Sequence, residues 1–257
     1  MKRRDFIKNA AVFVSGASVS LSALEWLDPK EVLASNPQLR WAFLVNTHNC
    51  VGCGFCVKAC KTENDIPMEA NVTRTWVERY VIKKDGDVVM DTPKGALNGF
   101  TNKKLDQGVS GMLEVPDDDI AQAFFVPKLC NHCEIPACVQ VCPVGATYST
   151  ADGVVLVDRE WCIGCGYCIM GCPYGVRFFH PIEHVADKCT LCYHRISDGA
   201  KTACVQACPF EARQIGNLRD PDDPVAQTVL NQRVGVLRDE YGTKPHVFYL
   251  GLNKEVR

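Results

Sequence analysis

Trp161-Cys162-Ile163-Gly164-Cys165-Gly166-Tyr167-Cys168-Ile169-Met170-Gly171-Cys172-Pro173 is the run that organises this 257-residue chain. Three cysteines stand at every third position, a fourth follows one helical turn later, and a proline lies behind it. The spacing C-x2-C-x2-C-x3-C-P brings three thiolates to one iron-sulfur cube and sends the fourth to a neighbouring one. Gly164 and Gly166 leave room for backbone N–H groups to approach the sulfurs. Cys168 and Cys172 are four residues apart, which predicts one short helix carrying ligands for two cofactors on a single face. Pro173 cannot continue that helix.

The run occurs earlier as Cys50-Val51-Gly52-Cys53-Gly54-Phe55-Cys56-Val57-Lys58-Ala59-Cys60, with Lys61 in place of the proline. That departure predicts a less constrained helix exit. Two looser versions complete the pattern. In Cys130-Asn131-His132-Cys133-Glu134-Ile135-Pro136-Ala137-Cys138-Val139-Gln140-Val141-Cys142-Pro143 the loop before the third cysteine is two residues longer. In the last, Cys189-Thr190-Leu191-Cys192, eleven residues intervene before Cys204-Val205-Gln206-Ala207-Cys208-Pro209. Residues 137–143 and 203–209 are nearly the same heptapeptide. Motifs one and three are therefore alike, as are two and four, and the chain is a duplicated two-cluster unit. The sixteen cysteines divide into these four sets of four with none left over.

The connecting segments predict small elements. Residues 41–45 form an apolar strand leading into the first motif. The cysteine-free stretch 61–129 contains a hairpin of 75–82 and 87–90 turning at Asp85-Gly86, a loop over 98–111, and the solvated acidic run Asp117-Asp118-Asp119. A second hairpin pairs 147–149 with 154–157. The tail carries a helix over 224–233 and a strand over 247–250, placed to cover a cluster or to face a partner.

His132 is expected on a partly exposed loop without a ligand role. Lys188, His194, Arg195 and Lys201 surround the last motif, and Arg177 follows the third. Taken singly each reads as an ordinary solvated charge, although a cation held near a cluster would raise its potential. His180 and His184 have the spacing of a helical metal site, but Pro181 argues against the helix.

At the N-terminus, Lys2-Arg3-Arg4-Asp5-Phe6-Ile7-Lys8 resembles a twin-arginine export signal. A weakly apolar segment follows over 10–24, shorter than the ~20 residues a bilayer span needs. Val32-Leu33-Ala34 offers a cleavage site; cleavage after Ala23, or retention as an anchor, is an alternative. The expected location is the periplasm. An even cysteine count in an exported protein ordinarily suggests disulfides, but tightly grouped, near-identical blocks of thiols are built to converge on common centres. The formal charge of -2, without a basic patch, gives no reason to expect nucleic-acid binding.

With four motifs in this order, the long insertion after the first and the widened fourth, residues 40–250 resemble the four-cluster electron-transfer subunits of bacterial respiratory oxidoreductases. These accompany molybdopterin enzymes of the dimethyl-sulfoxide reductase type, polysulfide, tetrathionate and arsenate reductases, and related quinone-linked membrane complexes. The resemblance implies an α+β fold of two ferredoxin-like two-cluster modules with inserted β-hairpins and a C-terminal extension. The signal would occupy 1–34, one module 35–62 with 186–257, the insertion 63–119, and the other module 120–185.

The resemblance also implies a nested pairing of motifs. Cys50, Cys53, Cys56 and Cys208 would hold one cluster, and Cys60, Cys189, Cys192 and Cys204 its neighbour. Cys130, Cys133, Cys138 and Cys172 would hold a third, and Cys142, Cys162, Cys165 and Cys168 a fourth. Spacing alone also permits pairing of adjacent motifs. A tryptophan replaces one motif cysteine in nitrate-reductase relatives, whereas every ligand is present here, which implies four 4Fe-4S clusters.

The function implied is a relay of single electrons between a quinone-interacting integral membrane subunit and a catalytic molybdopterin or multihaem cytochrome partner. No catalytic residue, small-molecule substrate or nucleic acid is implied, and membrane attachment would come through a partner. Two other classes weigh less. A zinc-stabilised interaction module uses separated cysteine pairs rather than three successive three-residue steps. A self-contained oxidoreductase would need residues beyond the committed cysteines, and no nucleotide or flavin fingerprint is evident.

Overall fold

A computed structural model describes residues 39–100 and 112–256. The twin-arginine segment, its cleavage points and residues 101–111 of the expected loop lie outside the described residues.

Strand β1, Trp41–Asn46, buries four consecutive residues because both of its faces are covered. Phe43 and Val45 enter the main core, while Ala42 and Leu44 pack with Val225 in a second cluster. That alternation is the two-residue period of a strand. β1 pairs antiparallel with β9, Arg213–Asn217, and parallel with β11, Val247–Leu250; β10, Val234–Gly235, completes the order β10-β11-β1-β9. The strand entering motif one thus lies beside the strand leaving motif four. Helix Pro224–Asn231 covers the sheet, capped by Asp223, whose carboxylate accepts from the N–H groups of Val225 and Ala226 at 2.7 and 3.3 Å. The helix stops at Asn231, short of the expected 233, because Gln232 is already extended toward β10.

The second sheet, ordered β3-β2-β4, comprises β2 Thr75–Lys83, β3 Val88–Asp91 and β4 Ile120–Leu129. β4 was not anticipated from the sequence. It pairs antiparallel with β2 from Thr75↔Leu129 to Ile82↔Gln122 and delivers the chain to Cys130. Between motifs two and three, β5 Thr147–Ser149 and β6 Val155–Val157 pair antiparallel, and after motif three β7 Phe178–Phe179 pairs with β8 Ala186–Asp187.

The motif helices differ in length for a covalent reason. Ala137–Gln140, Tyr167–Met170 and Ala203–Gln206 span four residues each and all precede a Cys-Pro pair. Phe55–Glu63, without that proline, continues for nine and carries both Cys56 and Cys60. The helix expected to carry both Cys168 and Cys172 ends at Met170, capped by Gly171, so Cys172 lies beyond it. Phe55–Glu63 packs against Ala203–Gln206, and Ala137–Gln140 against Tyr167–Met170. Motif one therefore neighbours motif four, and motif two neighbours motif three.

Lys61 overturns the expectation of a loose helix exit. Its side chain is buried, and Nζ donates to the carbonyls of Pro67, Met68 and Ala70 at 3.0, 3.4 and 2.6 Å. A lysine here lets the helix run on to Glu63 and fixes the segment that follows it by hydrogen bonds.

Arg74 ties three remote pieces together. Its Nε and Nη2 donate to the two carboxylate oxygens of Asp187 at 3.0 and 2.8 Å, and Nη1 donates to Asn64 Oδ1 at 2.5 Å and Thr190 Oγ1 at 3.3 Å. Both charged side chains are 4% exposed, so removing one partner strands the other in low dielectric. Arg74→Met is expected to cost about 3–5 kcal/mol of stability, measured as a lowered guanidinium midpoint, with part of the loss recovered in Arg74→Met/Asp187→Asn.

Candidate metal centres

The cluster loops share a backbone as well as a spacing. Gly52 and Gly164, at equivalent positions, have φ of 67° and 68°, and Gly54 and Gly166 have 76° and 78°. A Cβ on Gly54 would stand 2.3 Å from the carbonyl oxygen of Ala96. In motifs two and four the residues matching Gly52 are His132 and Leu191, and they too are left-handed, with φ of 44° and 52°. All four loops therefore turn the same way. Two of them use non-glycine residues that would ordinarily avoid this region.

Burial holds both in place. His132 is 1% exposed, contrary to the expected partly exposed loop position. Its Nδ1 accepts the N–H of Val155 at 3.0 Å, which anchors the loop to β6. Desolvation, reinforced by the charges of Lys188, His246 and Arg177, holds the imidazole well below its ordinary pKa, so it is neutral. The tail closes over this loop. Glu134 and Ile135 donate to the carbonyls of Lys244 and Thr243, and His246 donates to that of Asn131.

Cys50, Cys53, Cys56 and Cys208 line one small cavity, and Cys130, Cys133, Cys138 and Cys172 line another. Cys60 lies within electrostatic reach of Cys189, Cys204 and Cys192. Of the last group, Cys162 and Cys168 pack with Val155 and Ala186, and Cys165 is exposed. Cys142 follows the helix that packs on the third motif. None of the sixteen thiols is joined to another.

The sulfurs are prepared for ligation from two sides. Desolvation pushes Cys56 up to about 11 and both Cys133 and Cys189 up to about 12, so these thiols keep their protons until a metal replaces them. For Cys142, burial also acts upward but is outweighed by N–H groups of Thr147, Val144, Ala146 and Gly145, and its pKa is lowered. Further N–H donors point at sulfur from Ala186 to Cys162 and from Leu191 to Cys189, each at 3.4 Å.

Three buried cations accompany the thiols. Arg177 Nη2 donates to Cys138 Sγ at 3.1 Å, and Lys188 Nζ donates to the carbonyls of Val155 and Cys189. Both were expected to be solvated; they are 4% and 0% exposed because the thiols and carbonyls around them replace water. Arg213, which the sequence did not single out, lines the first cavity and donates to Thr75 Oγ1 at 2.8 Å. By contrast, His194 and Arg195 are engaged by Glu63, both at 2.7 Å, near the surface. His180 and His184 flank a turn rather than a helix.

An iron-sulfur cluster fits these residues. Arg213 Nη2 and Arg177 Nε are buried beside cysteine sets without a protein acceptor, which cluster sulfur would supply. Among the described residues no three His, Cys, Asp or Glu side chains gather around one point as a single zinc ion requires; the sulfurs surround cavities instead.

Comparison with known proteins agrees with the geometry. Residues 49–146 and 121–218 each match a family described as a 4Fe-4S dicluster domain. A tetrathionate reductase subunit of Salmonella typhimurium is 38% identical over 255 residues, covering 98% of this chain and 88% of that protein. The chain belongs to the four-cluster iron-sulfur subunits of respiratory oxidoreductases. Within this family, a tetrathionate reductase subunit of Archaeoglobus fulgidus is 40% identical over 83% of each chain. Protein NrfC of Escherichia coli is 34% identical over 82% of this chain and 80% of its own. The family's members are electron-transfer subunits, and the sixteen cysteines fit four 4Fe-4S clusters.

Gly54→Ala is expected to lower bound iron from about sixteen atoms per chain to about twelve, because the first loop cannot close past Ala96. Gly86→Ala is also strained in φ but has open space around its Cβ position, and its iron content is expected to stay at the wild-type value.

Proposed function

We propose that the chain conducts single electrons through four 4Fe-4S clusters between a quinone-interacting membrane subunit and a catalytic or haem-bearing partner. The ligand sets of this reading are nested: Cys50, Cys53, Cys56 and Cys208; Cys60, Cys189, Cys192 and Cys204; Cys130, Cys133, Cys138 and Cys172; Cys142, Cys162, Cys165 and Cys168. Two cavities, each lined by four thiols from paired motifs, carry this assignment. When bound, the clusters supply reversible one-electron chemistry whose potential depends on charge, hydrogen bonding and solvent exposure.

The chain's own residues hold the thiols in position and exclude water from the inner sets. Cys60, Cys189, Cys192, Cys130 and Cys138 are all buried. At the outer end of the fourth set, Cys165 is exposed, and its motif carries the exposed side chains of Trp161, Ile163, Tyr167 and Met170. Beside the first set, Phe55 and Phe210 are exposed. Exposed apolar side chains beside the first and the fourth set suit a docking partner at each. Among the described residues no helix is long and apolar enough to cross a membrane.

The twin-arginine segment supports export of the cofactor-loaded chain to the periplasmic side. Replacing Arg3 and Arg4 by lysine is expected to leave the protein in the cytoplasm, followed by cell fractionation; unchanged periplasmic recovery would refute export by this route.

The nested assignment is tested by iron analysis and electron paramagnetic resonance of the anaerobically prepared protein. Cys56→Ser and Cys208→Ser should perturb the same cluster signal, and the double variant should lose no second cluster. If Cys208→Ser instead altered the cluster held by Cys162 and Cys165, pairing of adjacent motifs would replace the nested one.

A further inference from the structure

The buried cations of this chain fall into two groups. Arg74 and Lys128 face carboxylates, Asp187 and Glu78, at 2.8 and 2.7 Å, and Lys61 Nζ is held by three carbonyls of residues 67–70. Arg213, Lys188 and Arg177 differ, for among the described residues none of them is paired with a carboxylate. Arg177 donates to the sulfur of Cys138, Arg213 lines a thiol cavity, and Lys188 Nζ is held by carbonyls of Cys189 and of Val155 beside the third set.

Their positions follow the series of cysteine sets. Arg213 interacts with Cys56 and Cys50 of the first set and with Cys204 of the second. Lys188 interacts with Cys189 of the second set and with Cys130 and Cys138 of the third. Arg177 interacts with Cys138 and Cys130 of the third set and with Cys168 of the fourth. Direct contacts bear on the same pairs. Arg213 lines the first cavity; Lys188 Nζ lies 2.7 Å from the carbonyl oxygen of Cys189 and also donates to that of Val155, which lines the cavity of the third set; Arg177 Nη2 lies 3.1 Å from Cys138 Sγ, and its Nη1 donates to Thr147 Oγ1 at 3.3 Å, the residue whose N–H faces Cys142 of the fourth set.

We propose that these three side chains place one buried cation at each of the three junctions of the series, and that each raises the potentials of the two clusters it stands between. The inference rests on the nested cysteine assignment. A cation beside a cluster stabilises its more negative, reduced form, and in a buried site that attraction is little screened by salt. Because the charge is shared, both neighbours rise together and the difference between them stays small. An electron crossing the junction therefore remains close to the same positive charge before and after the step. Lys188 has a particular place in this scheme, since its junction joins the two halves of the molecule.

The test is potentiometry of the full-length, cluster-loaded protein, with each signal assigned through its cysteine variants. Lys188→Met is expected to make reduction of the second and third clusters about tenfold less favourable, ~59 mV for a one-electron couple, and to leave the first and fourth unchanged. Arg177→Met should shift the third and fourth, and Arg213→Met the first and second. Lys188→Arg, Arg177→Lys and Arg213→Lys, which keep the charge, should hold both neighbours near wild type. A shift confined to one cluster, spread equally over all four, or absent would overturn the proposal. So would equal shifts in the charge-keeping variants. An error in the cysteine assignment shows separately, in the signals lost by Cys56→Ser and Cys208→Ser.

Should a methionine variant lose iron, the wild-type protein still decides. Isotopic labelling of lysine Nζ and of the arginine guanidinium nitrogens is expected to produce side-chain nitrogen couplings in the pulsed resonance spectra of both clusters flanking each cation. Spectra without those couplings would count against it.

Discussion

Cys208 shares a cavity with Cys50, Cys53 and Cys56, although all twelve other cysteines lie between them in the chain. The loop-closure entropy of bringing such distant thiols together has to be offset by pairing elsewhere. The β1–β9 ladder and the packing of helix Phe55–Glu63 on Ala203–Gln206 supply that pairing next to the cavity itself. In the other half, the short β5–β6 hairpin and the contact of Ala137–Gln140 with Tyr167–Met170 do the same for motifs two and three. The sheets are small because the shared centres, once loaded, take on work that a larger apolar core would otherwise perform. Metal binding to sites absent from the unfolded chain is itself folding free energy.

Burying half of the sixteen thiols also alters the charge balance of the interior. Thiols taken out of water hold their protons more tightly, and loaded centres introduce negative charge where solvent cannot screen it. The answering positive charge comes from within the same motifs or just beyond them: Arg177 after motif three, Lys188 before Cys189, Arg213 after Cys208. Carboxylates buried nearby are matched separately, Asp187 by Arg74 and Glu78 by Lys128. Segregating the two kinds of cation prevents the acidic side chains from cancelling the field at the sulfurs.

Spacing made the ligand motifs legible, and alternating or turn-rich segments did the same for the small strands. β5 and β11 begin and end where the sequence places them. β4 escaped notice because Pro127 lies inside it and its first half is exposed; its pairing with β2 depends on a long-range register that no local pattern announces. The inward charges escaped for a related reason. An arginine looks alike on a surface and beside a thiol until the partner, many residues away, is known. His132 and Leu191 show what closer alignment of the repeats would have revealed. They occupy the slot of Gly52 and Gly164, and that equivalence transfers the left-handed turn to residues that do not advertise it.

The parallel neighbour of β1 is β11, residues 247–250 of a 257-residue chain. During synthesis, the strand that introduces the first motif must wait for residues 247–250 to form one of its two ladders, and the first cavity waits for Cys208. That set of four thiols is complete only once Cys208 has been made, so Cys50, Cys53 and Cys56 spend the longest time open to oxidation.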